Sequence, residues 1–445
     1  MTFARQFRLL SVAVLGWSAA ACTQSADIAE TAIAPEGDPP NIVWIIADDQ
    51  AYTDFGFMDH EVVKTPNLDR LAANSALFPN GYVPSSLCRA SLATLITGKY
   101  AFDHGICFND PPEGRTQADT FRFLQSQVPL PLALRNAGYR SMQTGKFWEG
   151  RYDNGGFTDG MTLGGRHGDE GLTIGRETMQ PIDDFLSVES DDPFFIWFAP
   201  FLPHTPHNAA PEYEAIYAGQ GLDQKTLKYY AAISWLDDTV GQMMDLLEEH
   251  GEADNTIVMF IVDNGWAPLL DGDSFRDLQG RNLRFDPRSK SSPYEDGVRT
   301  PVMISWPGHI QPRRYDDLVS SIDFFPTSLA MAGLRPAPGL EGTNLLPFVT
   351  RNVSMPPRDI FGEIYYHTSV DLDDPKVNVT HRWVRRGDMK LIVNDYDGGR
   401  AELYNLAADP TERHDLAGDP QRAPLIADMR AAIAEWWETG YAGRE

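Results

Sequence analysis

Residues 41–49 read NIVWIIADD, an unbroken apolar run that ends in two carboxylates. Alternation of apolar and polar residues marks a strand with one wet face. A continuous run rich in β-branched residues suits a strand buried on both faces, as in a parallel sheet. PFFIWFAPF (193–201) and TIVMFIVDNG (256–265) repeat the pattern, and PVMISWPG (301–308) is a fourth candidate. Between them lie helical stretches. PNLDRLAANS follows the first strand, and ASLATLITG follows Cys88 and stops at Gly98. VPLPLALRNAGY and the long LKYYAAISWLDDTVGQMMDLLEEHG (227–251) carry apolar residues three and four apart and end near glycine. Strands alternating with helices predict an α/β fold with a doubly wound, mostly parallel sheet flanked by helices. After about residue 345 the pattern changes. HRWVRRGDMKLIVND and AELYNLAADP read as short antiparallel strands, and APLIADMRAAIAEWWETG as a terminal amphipathic helix. The expected division is a main domain over 40–345 and a smaller C-terminal α+β subdomain over 346–445.

The N-terminus is a separate object. Arg5 and Arg8 precede the apolar stretch LLSVAVLGWSAAA, which meets Cys22. The stretch is too short for a stable transmembrane helix and reads as an export signal over residues 1–21. SAAAC (18–22) is similar to a bacterial lipobox, with Ala19 where Leu is usual, and makes Cys22 the expected lipid anchor. Cleavage after one of the alanines is the plainer alternative. Residues 22–39 are then a tether, and the address is the periplasm, the outer membrane or the cell surface. Removing residues 1–21 takes the formal net charge from −26 to −28. Such a surface repels nucleic acid and, apart from a lipid anchor, anionic membrane. An anionic substrate needs a local cationic pocket. Beyond Cys22 the chain has Cys88 and Cys107 alone, enough for one disulfide and too few for a disulfide scaffold.

In open parallel sheets, sites form beyond the carboxyl ends of the strands. Two strands end in acids or amides, Asp48-Asp49 and Asp263-Asn264. Either pair alone is explained by a turn or a helix cap. Both after matching buried strands would share one rim, where four oxygen-bearing side chains suit a hard cation, Ca²⁺ or Mg²⁺. Cys88 stands just before a helix, with Ser85 and Ser86 as candidate caps. A helix N-terminus favours anions and lowers a thiol pKa. A small buried hydrophobe is the ordinary fate of a lone cysteine. GYRSMQTGKFWEG places Lys146 after a short strand, APFLPHTPH ends another with His204 and His207, and RSKSSPYEDGVRTPVMISWPG offers Lys290 and Arg299. Singly these are weak. Together, cations, imidazoles and a metal at one rim describe a site for a tetrahedral oxyanion.

At this point the residues resemble a known family, the formylglycine-dependent (type I) sulfatases of the alkaline phosphatase superfamily. The resemblance spans IIADDQ, CRASLATLITGKY, GYRSMQTGKFWEG, PHTPH, VDNG, KSSPYEDGVRTPVMISWPG, DLVSSIDFFPTSLAMAGL and ELYNLAADPTERHDL, in the family's order and spacing. It implies that the 40–345 domain is catalytic and that a maturation enzyme oxidises Cys88 to formylglycine. One hydroxyl of the hydrated aldehyde attacks sulfur in line, and the other expels sulfate by reforming the aldehyde. It further implies that Asp48, Asp49, Asp263, Asn264 and modified Cys88 bind Ca²⁺, with Mg²⁺ second. Lys146 and Lys290 grip sulfate, His204 or Lys290 protonates the leaving oxygen, and His207 lies at the mouth. The substrate is then a sulfated small molecule or a sulfated glycan. Alternatives are a phosphate ester or phosphonate hydrolase of the same superfamily, and a surface protein that binds sulfated glycans without turnover.

Two positions depart from the family pattern. In place of Cys-x-Pro-Ser-Arg the chain reads Cys88-Arg89-Ala90-Ser91-Leu92, so Leu92 replaces an arginine one helical turn beyond the nucleophile. Arg89 lies about 100° around the helix and does not substitute for it. The family's Gly-Lys-Trp-His reads Gly145-Lys146-Phe147-Trp148, so Trp148 replaces a histidine. A rebuilt nucleophile environment, with His104 of DHGICFND as a candidate, is the expected explanation. A different maturation enzyme and an unconverted Cys88 are the others. Trp148, Trp266, YYHTSV (365–370) and RWVRR are candidates for a sugar-binding mouth, with core packing as the plainer role of several.

Overall fold

The computed structural model describes residues 38–267, 275–276, 282–283, 287–336 and 339–442. The expected export signal, Cys22 and the tether up to residue 37 lie outside the described residues. No helix among those described is long and apolar enough to cross a membrane.

The NIVWIIA run forms β1 (Asn41–Ala47), buried at every residue. It lies between β5 (Phe194–Ala199) and β6 (Thr256–Val262) and is parallel to both. Beyond β5 come β3 (Arg140–Gly145) and the short β4 (Asp159–Gly160), also parallel. Beyond β6 comes β9 (Arg299–Ser305), antiparallel to β6 and to its other neighbour, β2 (Ala76–Tyr82). The short strands β10 (Arg313–Arg314) and β11 (Val319–Ser320) pair with β2 in parallel. A separate two-stranded ribbon joins β7 (Phe275–Arg276) to β8 (Asn282–Leu283).

Successive residues of a strand face opposite sides, and the central strands divide accordingly. Ile42, Trp44, Ile46, Trp197 and Met259 pack with helices Cys88–Thr97, Leu130–Arg135 and Phe324–Met331. Val43, Ile45, Ala47, Phe198 and Phe260 pack with helices Pro66–Ala73 and Gln224–Glu249. Apolar burial on both faces is what the unalternating runs required.

PVMIS lies in a strand, as expected, but one that runs against its neighbours. An apolar run buried on both faces reads alike in either direction, so the pattern carries no polarity. The reversal matters for the site. It brings the start of β9, and the loop before it, to the rim that holds the carboxyl end of β6, where Val262 N–H donates to Thr300 Oγ1 at 2.9 Å.

The later strands form a second sheet, antiparallel throughout: β12 (Asp359–Tyr365), β13 (Val379–Arg386), β14 (Met389–Asn394) and β15 (Arg400–Asn405). The helix Ala423–Ala442 covers it with Met429 and Ile433 against Val384, Leu391 and Leu403. Trp383, Ile392 and Tyr404 reach into the main core, as do Leu346, Phe348 and Val349 of the helix Leu346–Arg351. Buried Lys390 also ties the two parts, with Nζ 2.9 Å from Glu295 and 3.0 Å from Glu412.

Candidate active site

At the end of β1 the chain turns through Asp49 at φ 61°. This left-handed conformation is disfavoured for most residues and tolerated by aspartate. It allows consecutive carboxylates, which a straight strand would send to opposite faces, to enter one cluster. Asp48 N–H donates to Leu202 O at 2.9 Å, and Asp263 N–H to Ala47 O at 2.9 Å, which locks the ends of β1 and β6 together. Asp49 N–H lies 3.3 Å from Asp263 Oδ1. Asp48, Asp49, Asp263 and Asn264 are all buried.

Lys146 arrives from β3. Gly145 has φ +76°, and a Cβ there would stand 1.7 Å from Ala199 O. Glycine alone permits this turn against β5, and Lys146 N–H then donates to Ala199 O at 2.7 Å. The Lys146 Nζ lies 2.6 Å from Asp48 and 3.3 Å from Asp263. Burial would lower its pKa, but Asp263 and Asp48 outweigh it and hold the ammonium ionised.

Cys88 is the first residue of the helix Cys88–Thr97, which is buried along its whole length and stops at Gly98. Neither expected serine caps it. Leu87 is the N-cap and makes no side-chain bond, while Ser86 Oγ accepts from Ser291 N–H at 2.9 Å. That bond serves another purpose: it fixes the Lys290 loop to the start of the helix that Cys88 heads. Lys290 Nζ bonds Asp49 and lies 2.8 Å from Cys88 Sγ. Asn264 Nδ2 approaches the same sulfur at 3.6 Å. Burial pushes the Cys88 thiol up to about 12, against the pull of Lys146 and Lys290. Cys88 and Cys107 are not joined as a disulfide.

Among these groups three carboxylates face two ammonium groups, leaving one negative charge. Burial raises Asp48 to about 6, against Lys146; burial and the charge on Asp48 raise Asp263 to about 7. Burial would raise Asp49 too, but Lys290 and His204 hold it well below the usual carboxylate range. Two buried oxygens, Asp48 Oδ1 and Asn264 Oδ1, lack a hydrogen-bond partner, which is costly unless something else satisfies them. Ligand atoms of Asp48, Cys88 and Asp263 lie within 4.8 Å of one another, as do those of Asp48, Asp49 and His204. Hard oxygens, excess negative charge and orphaned lone pairs fit a hard divalent cation.

His204 Nδ1 donates to Thr205 O at 2.6 Å, so Nε2 faces Asp49 Oδ2 at 3.5 Å. Burial lowers its pKa to about 3, against Asp49. His207 is half-buried beside Tyr229, 5.4 Å between ring centres, and burial lowers it to about 4.

Other candidates are engaged elsewhere. Arg299 binds Pro79 O, Asn80 and Glu295. Arg89 points away from Cys88 and is spent on Glu149, Gln117 and Thr120. His104 Nε2 meets Thr94 and its Nδ1 accepts from Ile106 N–H, which gives it a loop-closing role. In RWVRR, Arg382 pairs with Asp395, Arg385 with Tyr82 and Arg386 with Asp359, while Trp383 is core. Leu92 is 5% exposed and belongs to the main core. The place where the family carries an arginine is thus filled by hydrocarbon.

Trp148 is 2% exposed and meets a histidine that sequence reasoning passed over, His167, at 4.5 Å between ring centres. His167 also neighbours Phe201 at 5.2 Å and His204 at 5.8 Å. Its signal, a lone RHGDE run after glycines, has no periodicity that would place it here.

The family model described as Sulfatase matches residues 40–334, and one described as N-sulphoglucosamine sulphohydrolase, C-terminal, matches residues 284–438. Human N-acetylgalactosamine-6-sulfatase is 31% identical over 357 residues, 69% of this chain and 65% of that protein, so the chain spans just under two thirds of its length. An N-acetylglucosamine-6-O-sulfatase of Bacteroides thetaiotaomicron is 24% identical over 507 residues, 89% of this chain and 86% of that one. A protein solved in complex with its substrate D-glucosamine-2-N,6-O-disulfate has the same fold, with TM-score 0.72 and 20% identity over 91% of this chain and 98% of that one. The chain belongs to the type I sulfatase family.

Proposed function

We propose that the protein hydrolyses sulfate esters of carbohydrates, with a formylglycine made from Cys88 as its nucleophile. The observation that carries this reading is the convergence on Cys88. Its sulfur heads a buried helix, 2.8 Å from Lys290 Nζ, beside three aspartates, Asn264 and Lys146. A thiol pushed up to about 12 is a poor nucleophile near neutral pH, so the position makes chemical sense as a precursor. The carbohydrate part is supported by relatives named for N-acetylgalactosamine-6-sulfate and N-acetylglucosamine-6-O-sulfate chemistry.

A hydrated aldehyde at position 88, supplied by a maturation enzyme, would offer one hydroxyl for attack on sulfur and a second for sulfate release. A divalent cation, Ca²⁺ before Mg²⁺, held by Asp48, Asp49, Asp263, Asn264 and the oxygen at position 88, would supply Lewis-acid stabilisation of the sulfate. The chain's own groups do the rest. Lys146 and Lys290, kept ionised by the aspartates, exchange part of that pairing for sulfate oxygens. Fixed cations in a dry site act most strongly where charge grows in the transition state. Lys290 Nζ, held ionised by Asp49, is the proton source for the departing sugar oxygen; His204 Nε2, bare while Nδ1 binds Thr205 O, serves there only after taking up a proton itself. His207, half-exposed beside them, contacts the substrate at the mouth. Arg5, Arg8, the apolar stretch and SAAAC support export with a lipid on Cys22.

Side-by-side kinetics on an aryl sulfate and the matching aryl phosphate test the reading, before and after chelation. The sulfate is the better substrate, and Ca²⁺ restores activity lost to the chelator. A phosphate preference would replace this reading with that of a phosphoester hydrolase.

A further inference from the structure

Outside the rim, a polar cluster is assembled from three separate loops. Asp110 takes the Arg166 guanidinium in a two-pronged bond, Oδ1 to Nε at 2.8 Å and Oδ2 to Nη2 at 2.9 Å. His367 Nδ1 lies 3.5 Å from Asp110 Oδ2, and its Nε2 3.3 Å from Asn109 Nδ2. The remaining arm of Arg166, Nη1, is 2.8 Å from His167 Nε2, and its guanidinium sits 4.9 Å over the Trp148 ring.

Backbone bonds hold this cluster to the reacting groups. Asn109 Oδ1 accepts the N–H of Arg89, the residue after Cys88, at 3.0 Å. Phe147 N–H, next to Lys146, donates to His167 O at 2.9 Å. The C-terminal part supplies the third anchor: Asn109 and Asp110 N–H donate to His367 O, and Ser369 N–H to Asp110 O. The side chains nevertheless meet solvent, with Arg166 45%, Asp110 30% and His367 31% exposed. A surface ion pair adds little stability, so this rigid, half-exposed assembly beside the nucleophile is not explained by packing. The Trp148 indole N–H beneath it is buried without a hydrogen-bond partner. Asp110 and Arg166 cancel in charge while keeping planar donors and acceptors on display. That surface reads hydroxyls. It offers no uncompensated cation for a second anionic group.

We infer that Asp110, Arg166 and His367 form the subsite that recognises the hydroxyls of an uncharged pyranose carrying the scissile sulfate. The substrate class is a monosulfated hexose or N-acetylhexosamine, in preference to a uronate or a disulfated ring. The inference rests on the sulfatase reading above.

The test uses the matured enzyme with 4-nitrophenyl sulfate, N-acetylgalactosamine-6-sulfate, N-acetylglucosamine-6-sulfate and glucosamine-2-N,6-O-disulfate. The readout is the ratio of kcat/KM on each sugar to that on the aryl ester. In D110N, R166Q and H367A the ratio for the better neutral sugar falls about 10²-fold, because the sugar's hydroxyls lose the fixed donors and acceptors that pair with them only on the sugar substrate. R166K keeps the charge, loses the fork and falls as R166Q does. An unmoved ratio, with both activities falling together or neither falling, assigns the cluster a structural role and overturns the inference. So does a wild-type preference for the disulfated sugar, or cleavage of the aryl ester with neither neutral sugar. If the wild type cleaves no sulfate at all, the sulfatase reading itself fails.

Discussion

Lys290 is held between Asp49 and Cys88, and both contacts depend on its reaching the rim from the loop before β9. Its charge is raised in stability by Asp49 against the cost of burial. Removing it takes away one of the two cations that the proposed mechanism sets against the sulfate. Lys290→Ala is expected to fold, as judged by circular dichroism, and to lose about 10²–10³-fold in kcat. Turnover within a few-fold of wild type would remove Lys290 from the mechanism. The departures from the family pattern are also legible at this scale. Leu92 and Trp148 could be read as substitutions from the sequence, but what stands around them could not. Leu92 fills core, and Trp148 sits under Arg166 and against His167. Asp110, Arg166, His167 and His367 come from loops with no periodic pattern, so nothing in the sequence says that they meet.

Among the elements, the buried strands announced themselves, and so did the acids at their ends. A run of six apolar residues has few fates other than a strand inside a sheet, and Asp48, Asp49, Asp263 and Asn264 follow directly from where β1 and β6 stop. Strand direction was not legible, because β9 is as apolar as its parallel neighbours. Capping failed for a related reason. Ser85 and Ser86 are typical cap residues, yet tertiary demand assigns Ser86 to the Lys290 loop. The turn at Gly145 is the element-scale feature on which Lys146 depends. Gly145→Ala forces a Cβ toward Ala199 O at a φ that alanine disfavours. It is expected to cost more than about 1 kcal/mol, read from the denaturant midpoint, and to lower kcat by displacing Lys146. Wild-type stability and activity in that variant would show that the turn is not what places the lysine.

Across the whole molecule, the C-terminal sheet does more than cap the main domain. It supplies Lys390 to the buried Glu295 and Glu412, and the loop that follows β12 supplies His367 to the cluster with Asp110 and Asn109. Glu363 on β12 makes another joint, accepting Ala101 N–H at 2.9 Å. Burial raises its pKa from 4.5 to about 8. A carboxyl raised in the folded state contributes fully below the unfolded value, and its contribution fades as pH rises toward the folded one. Between pH 4.5 and 8 wild type is therefore expected to lose stability relative to Glu363→Gln, which keeps the acceptor and cannot ionise. Parallel melting curves of the two proteins across that range would reject this joint as a pH-sensitive element. The central claim is that position 88 carries an aldehyde rather than a thiol. Mass spectrometry of the peptide containing residue 88, from protein made in its native host, tests it most directly. The account predicts the mass of formylglycine at that position, in active preparations; a preparation that hydrolyses sulfate esters while its peptide carries only unmodified cysteine would contradict it.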